Sequence, residues 1–208
     1  LTTVTSFKTL KTLARSSSGV LVLAAVAASG CRQPAGQAPA GGATPVYNKQ
    51  TGRLELLLSD KNGDGRIDTR AHMDGVRLKM IELDLNGDGR TDRWEYYAPA
   101  SGAPGATMID RVEEAARPNG VITRREFYVA GALKRSEEDT DLDGRVDKWE
   151  LYEAGQLVRV DLDLNGQGYA SRRLIYTATG TFDHVEEDAD GDGKFEPVPP
   201  RKIGGEGS

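Results

Sequence analysis

From about residue 52 onward the apolar residues do not form long runs. They fall in short clusters, such as Val146, Trp149, Leu151 and Tyr152 or Leu157, Val158 and Val160, separated by stretches of Asp, Asn and Gly. The clusters are made of residue types that suit a pleated surface, and Gly131, Gly155 and Gly180 fall where hairpin turns are expected between them. The alternation recurs at a fixed interval. Aligned on the first residue of each polar stretch, six units begin at Asp60, Asp84, Ala115, Asp139, Asp163 and Asp188, at spacings of 24, 31, 24, 24 and 25 residues. The long interval is accounted for by residues 99–105, a Pro, Gly and Ala insertion with the composition of a surface loop. Self-similarity of this kind overrides element-by-element assignment and predicts a repeat architecture. Each unit reads as strand, loop, strand, and the units join into an all-β fold, an antiparallel β-meander of tandem 24-residue repeats over residues 52–197.

Alignment explains segments that look unrelated in isolation. Residues 111–128 superimpose without gaps on residues 135–152, so the third unit keeps the frame and loses the acids. The fourteenth position is Tyr97, Tyr128, Tyr152 and Tyr176 in the four middle units, and the eleventh is Trp94 and Trp149 in two of them. Such regularity predicts a shared packing role. A repeat array buries its apolar face by stacking neighbours, so irregular first and last units are expected.

The polar stretches carry the candidate chemistry. Loop four has Asp139, Asp141, Asp143, Gly144, Asp147 and Glu150 at positions 1, 3, 5, 6, 9 and 12, and loop two has Asp84, Asn86, Asp88, Gly89, Asp92 and Glu95. Five carboxylates within loop four repel one another, at about 1 to 4 kcal/mol for a like-charged pair about 4 Å apart, and a turn alone does not need them. Both loops resemble the twelve-residue calcium loop of the EF-hand, which supplies oxygen ligands from these positions and turns at the glycine. The resemblance implies Ca²⁺ as cofactor, Glu95 and Glu150 as closing ligands, and backbone carbonyls from Arg90 and Arg145 at position 7. Loop one (Asp60, Asn62, Asp64, Asp68) ends in Ala71, and loop six (Asp188, Asp190, Asp192, Glu196) reaches Pro199. Both lack the closing carboxylate and are expected to bind more weakly. Loop five keeps Asp163, Asn165 and Gly168 but has Gln167, Ser171 and Leu174 where carboxylates belong, and loop three retains Asn119, Gly120 and Glu126. These two read as metal-free turns.

An EF-hand sets a helix on each side of its loop. A 24-residue period with a twelve-residue loop leaves about 12 residues for both flanks and the turn, short of two ordinary helices. Strands are therefore expected. The alternative is an α-helical EF-hand or dockerin-like loop-helix repeat, because positions 11, 13 and 14 form one stripe in either form.

Ahead of the repeats, Lys8, Lys11 and Arg15 precede an uncharged apolar run over residues 19–28, a basic region and short apolar region that match an export signal over residues 1–30. The boundary Ala28-Ser29-Gly30-Cys31 resembles the lipobox of bacterial lipoproteins, whose cysteine is lipidated after cleavage. Cys31 is the one cysteine of the sequence. The resemblance implies a membrane anchor at Cys31, and Arg32 after it favours the outer membrane or cell surface. Residues 31–51 read as a flexible linker and residues 198–208 as a disordered tail. Removing a segment with three positive and no negative charges takes the net charge from −5 to −8, which excludes a nucleic-acid footprint.

Nearly every acid already has a place in the repeat, and His72 and His184 are isolated in sequence, so an enzyme is not expected. The expected function is a calcium-stiffened, membrane-anchored structural or interaction module whose partner is an envelope protein or a polysaccharide; the alternative is an EF-hand sensor or buffer. Replacing Cys31 by Ser is expected to move the protein from the membrane to the soluble fraction, and unchanged fractionation refutes the lipid anchor.

Overall fold

The computed structural model describes residues 42–116 and 120–199, which form thirteen strands and no helix. The strands are β1 (Ala43–Tyr47), β2 (Leu54–Ser59), β3 (Thr69–Asp74), β4 (Arg77–Leu83), β5 (Arg93–Pro99), β6 (Thr107–Glu114) and β7 (Arg124–Val129). They continue with β8 (Ala132–Glu138), β9 (Lys148–Glu153), β10 (Gln156–Leu162), β11 (Arg172–Tyr176), β12 (Phe182–Glu187) and β13 (Glu196–Pro197). Every strand pairs antiparallel with the next, giving one open meander in sequence order. The strand-loop-strand reading holds, and the helical alternative does not. The export segment, Cys31, Asn119 and residues 200–208 lie outside the described residues.

The sheet begins earlier than expected, because residues 43–47, read above as part of a flexible linker, form β1. The strand includes Pro45. Proline is tolerated on an edge, where one side of the strand needs no ladder partner, and among the described residues β1 is an edge strand paired only with β2. Asn48 fixes the first turn by accepting the Gln50 and Thr51 N–H groups on Oδ1, at 2.9 and 2.8 Å.

Connections alternate between two kinds, so the six polar loops lie at one end of the strands and the short turns at the other. Ala130-Gly131 and Ala154-Gly155 join their strands with positive φ at both residues (51° and 76°, 48° and 81°), the two-residue turn whose twist suits a hairpin. Each turn-side hairpin also has a register shift, which leaves one residue of the second strand unpaired: Glu55, Lys79, Asp110, Lys134, Val158 and Asp183. All six lie five residues before a loop's first position, so the bulge is part of the repeat.

Among the described residues no strand packs across a face of this sheet; contacts run between ladder neighbours, with β4 and β6 on either side of β5 the one addition. Burial must then come from within a face. Cross-strand pairing aligns one row through twelve strands: Pro45, Leu57, Ala71, Ile81, Glu95, Val112, Glu126, Ser136, Glu150, Val160, Leu174 and Val185. The buried apolar residues, Ala71, Val112 and Val160, all belong to it, as does buried Ser136. Neighbouring rows cover it. On the loop side Arg93 pairs with Glu114, Arg124 with Glu138 at 2.9 Å, Lys148 with Glu138 at 3.0 Å and Arg172 with Glu187. On the turn side Tyr97, Tyr128 and Tyr152 donate to Glu95, Glu126 and Glu150 at 2.8, 2.7 and 2.8 Å. Burial first, then the adjoining glutamates, push these three phenols up. In the fifth unit Leu174 replaces the glutamate, and Tyr176 packs edge-on against Phe182 at 5.9 Å between centroids.

The opposite face uses arginines over rings: Arg111 over Tyr96 at 4.2 Å, Arg135 over Phe127 at 3.7 Å and Arg173 over Phe195 at 3.5 Å. Trp94 and Trp149 lie here in one row with Glu82, Glu113, Arg125, Glu137 and Asp161, half-buried among charged chains. Each aligned cross-strand pair contributes about 0.2 to 1 kcal/mol, and long charged side chains also shield apolar surface with their stems.

Glu150 is the most densely bonded member of the buried row, accepting from Ser136 Oγ (2.7 Å) and Tyr152 Oη (2.8 Å) and pairing with Lys148 (2.7 Å) and Arg124 (3.0 Å). Burial opposes its charge, but the Lys148 and Ser136 hydrogen bonds, the Lys148 charge and Tyr152 outweigh it and hold its pKa at about 2, against an ordinary 4.5. A carboxylate depressed in the fold contributes stability above its unfolded pKa and loses it as pH falls through the folded one. Acidification from pH 5 to pH 2 is expected to cost at most about 3 kcal/mol from this group. Urea midpoints should show Glu150→Gln less stable than the parent at pH 7, with the gap closing by pH 2; a gap independent of pH refutes the assignment.

Candidate metal centres at the loop edge

Five of the six loops share one internal construction. The first-position aspartate turns the chain around its own carboxylate: Asp60, Asp84 and Asp139 each accept the fourth-position N–H on Oδ1 at 2.7 Å and the sixth-position N–H on Oδ2 at 2.7 to 2.9 Å. Asp188 makes the same pair of bonds at 2.9 and 3.0 Å. Asp163 holds Gly168 N–H at 2.6 Å, and although burial opposes its charge, N–H groups of Gly168, Gln167 and Asn165 lower its pKa. In loops one, two, four and six third- and fifth-position oxygens then accept from the N–H groups two residues further on, as Asp141 does from Asp143 (3.1 Å) and Asp143 from Arg145 (2.8 Å). Arg90 N–H likewise donates to Asp88 at 2.9 Å.

The ninth position closes the loop. Asp68 Oδ2 accepts Lys61 N–H at 2.7 Å, Asp92 Oδ2 accepts Leu85 N–H at 2.9 Å, and Asp147 accepts the N–H and hydroxyl of Thr140. In the two loops that lack the acids, Thr123 Oγ1 and Ser171 Oγ accept the equivalent N–H groups, from Ala116 at 3.1 Å and Leu164 at 3.2 Å. The ninth residue is therefore a structural clasp as well as a candidate ligand. Sequence reasoning missed this role, although the presence of Asp, Thr and Ser at one position was its signature. The loops are also linked. The first-position N–H of each of loops two to six donates to the ninth-position carbonyl of the loop before, as Asp84 does to Asp68 and Asp163 to Asp147, both at 2.8 Å.

The twelfth position departs from expectation. Glu95 and Glu150 were assigned as closing ligands, but both sit in mid-strand within the buried row and are bonded to Arg93 and Tyr97, and to Lys148, Ser136, Tyr152 and Arg124. A helix leaving the loop would bring position 12 back over it. A strand carries that residue about 10 Å beyond position 9. Loop three confirms the distinction: without its acids it keeps Glu126, which pairs with Arg124 (3.2 Å) and Tyr128 (2.7 Å). The missing closing glutamates of loops one and five are replaced by Ala71 and Leu174, residues of the same buried row.

Among the described residues three trios of carboxylates have oxygens within 4.8 Å of one another: Asp60, Asp64 and Asp68; Asp139, Asp141 and Asp147; and Asp188, Asp190 and Asp192. Loop two, which matches every side-chain position in sequence, brings no such trio together; the Asn86 amide donates to Asp92 Oδ1 at 3.1 Å. Glu196 lies in β13 and belongs to none of the groups, and Lys194 binds Asp192 at 2.5 Å. Hard oxygen donors in trios suit a divalent cation of the calcium or magnesium type. His72 and His184 lie at the surface of the sheet, paired with Glu82 at 3.1 Å and with Asp183 at 2.9 Å. The Asp183 and Glu186 hydrogen bonds raise the His184 pKa.

Fold and loops together define an open, single-sheet repeat protein with acidic loops in a row along one end of its strands. No family model matches the sequence, and no curated protein matches it. A solved structure of accessory secretory protein 1, 2 and 3 from Streptococcus pneumoniae is similar at 14% identity over 58% of this chain, with a TM-score of 0.30. The chain spans 19% of that protein's length, and a likeness of this size carries no argument.

The fourth position of loop four carries strain. Loops one, two, five and six have glycine there, at φ 76°, 77°, 69° and 77°, whereas loop four has Leu142 at φ 66°. A left-handed conformation costs a non-glycine residue about 1 to 2 kcal/mol, partly offset in a Leu→Gly exchange by the freer unfolded chain. Leu142→Gly is expected to stabilise the protein by about 0.5 to 1 kcal/mol, read as a raised urea midpoint at unchanged slope; a lowered midpoint refutes the strain.

Proposed function

We propose that this protein is an exported, lipid-anchored calcium-binding module in which ions held by the acidic loops stiffen one end of the sheet. The observation that carries the reading is the alignment of three carboxylate trios, in loops one, four and six, at the same end of a single open sheet. Each trio draws on residues of one loop, and each loop connects two adjacent strands, so a bound ion would hold that strand pair together. Candidate ligands are the carboxylates at positions 1, 3, 5 and 9, with position 7 contributing its backbone carbonyl as the EF-hand resemblance implies. Water supplies the rest of the shell. Glu95 and Glu150 serve the sheet instead.

The lipid anchor at Cys31 and display at the outer membrane or cell surface complete the proposal, resting on the export-signal pattern and the lipobox resemblance. In such a setting calcium is plentiful, and sites of about 10⁻⁴ to 10⁻³ M suffice. A structural or interaction role toward an envelope protein or polysaccharide fits this reading better than a sensor. A sensor of the EF-hand type works by opening a helix pair, and the described residues contain only strands joined by loops and turns.

Calcium at 10 mM is expected to raise the melting temperature of the chelated protein. A ligand at about 100 times its Kd stabilises by about 2.7 kcal/mol, which corresponds to about 5 to 10 °C for a protein of this size. Asp141→Ala and Asp143→Ala together should remove part of that calcium-induced rise, and magnesium at the same concentration should produce less. A melting curve identical in calcium and in EGTA overturns the proposal.

A further inference from the structure

We infer that loop one is the first of the loops to take a divalent ion, and that Asp68 Oδ1 is the ligand that sets this order; the inference rests on the calcium reading above. By sequence loop one ranks below loops two and four, because Ala71 stands where they have a glutamate. The twelfth residue belongs to the sheet in every loop that ends in a described strand, so this demerit disappears.

What distinguishes loop one is an oxygen without a donor. Among the described residues two buried side-chain oxygens have no hydrogen-bond partner, Asp68 Oδ1 and Thr69 Oγ1. They are adjacent in sequence, and both residues line a cavity of about 320 Å³ between loops one and two, together with Asn62 and Asp84. Asp68 is 8% exposed. Its Oδ2 is satisfied by the Lys61 and Asn62 N–H groups at 2.7 and 3.3 Å, which leaves Oδ1 cut off from solvent with nothing donating to it. A buried carboxylate oxygen in that state is unfavourable unless a cation or a donor reaches it. The same residue completes the trio with Asp60 and Asp64.

In loops two and four, the other two with an aspartate at this position, the equivalent atom is already satisfied. In loop two the Asn86 amide covers Asp92 Oδ1, whereas in loop one the Asn62 amide is turned to Asp64, at 3.3 Å. In loop four Thr140 covers both oxygens of Asp147. Loop six has the exposed Glu196 at its ninth position, and its fifth-position Asp192 already carries the Lys194 ammonium.

The local charge points the same way. The residue after the ninth position is Arg93, Arg124, Lys148 and Arg172 in loops two to five, but Thr69 in loop one. Loop one therefore has no basic residue next in sequence to its clasp, whereas in those loops that residue is ion-paired with glutamates of the sheet. Its own Arg66 reaches across to the Gly87 carbonyl of loop two at 3.1 Å, and Lys61 is the one basic residue lining the cavity. Asp84 N–H, bonded to the Asp68 carbonyl at 2.8 Å, links the same residue to the first position of loop two.

The test is a calcium titration of the full chain, followed by calorimetry and by residue-resolved amide NMR. In the first equivalent the Gly63 and Gly65 amides are expected to shift ahead of Gly87, Gly89 and Gly144. Asp68→Asn, which keeps an acceptor for Lys61 N–H, should weaken the tightest site at least tenfold. Asp64→Asn, at an exposed ligand, should weaken the same site and guards against a folding defect in the first variant. Asp147→Asn should leave the tightest site unchanged. Early shifts at Gly144, or loss of the tightest site in Asp147→Asn alone, overturn the order while leaving the calcium reading intact. No heat and no shifts in the parent chain would remove both.

Discussion

A sheet on which no other described strand packs across either face has to find its buried volume sideways. Here that constraint is met by register. Pairing aligns the same repeat position in strand after strand, so Ala71, Val112, Ser136 and Val160 fall on one line and are covered by the rows on either side of it. The cover consists of arginine and lysine stems, tyrosine rings and the carboxylates that bond to them. Charged residues thus take the place of a second layer, which is why a protein with 28% charged residues and few buried apolar side chains can hold a thirteen-strand sheet.

The loops depend on the same register. Because each ninth-position residue hydrogen-bonds to the next loop's first position through the backbone, the loops stand at the spacing of the strands and form a row. Within a loop the first aspartate performs two tasks at once, folding the turn around its carboxylate and presenting oxygen toward the centre. The proposed ion then acts on a scaffold that is already formed, and the loops that have lost their acids still turn the chain, since Thr123 and Ser171 preserve the clasp.

Much of this was legible in the sequence. The period located all six loops, the glycines marked the hairpin turns, and β-prone residues on flanks too short for helices indicated strands. Three features were not legible, for physical reasons. Pro45 reads as a breaker unless its strand is known to be an edge. The recurring bulge at Glu55, Lys79, Asp110, Lys134, Val158 and Asp183 has no composition of its own, and it emerges only from the pairing. The mid-strand seating of the twelfth-position glutamates was not legible because the spacing rule comes from loop-to-helix geometry, and in a loop that leads into a strand the same count of residues travels about twice as far. Loop two illustrates the limit of motif matching: its residues fit the pattern, and an asparagine amide occupies the aspartate that the pattern nominates.

The open meander, in which every strand is hydrogen-bonded only to its neighbours in sequence order, has an evolutionary corollary. A closed barrel fixes its strand number through the circumference, but here nothing geometric dictates six loops. Because the bulge restores the same facing after each period, a whole unit could be duplicated or deleted in the gene without inverting the side chains downstream. The reach of such a protein would then be an inherited length, adjustable in steps of one hairpin pair.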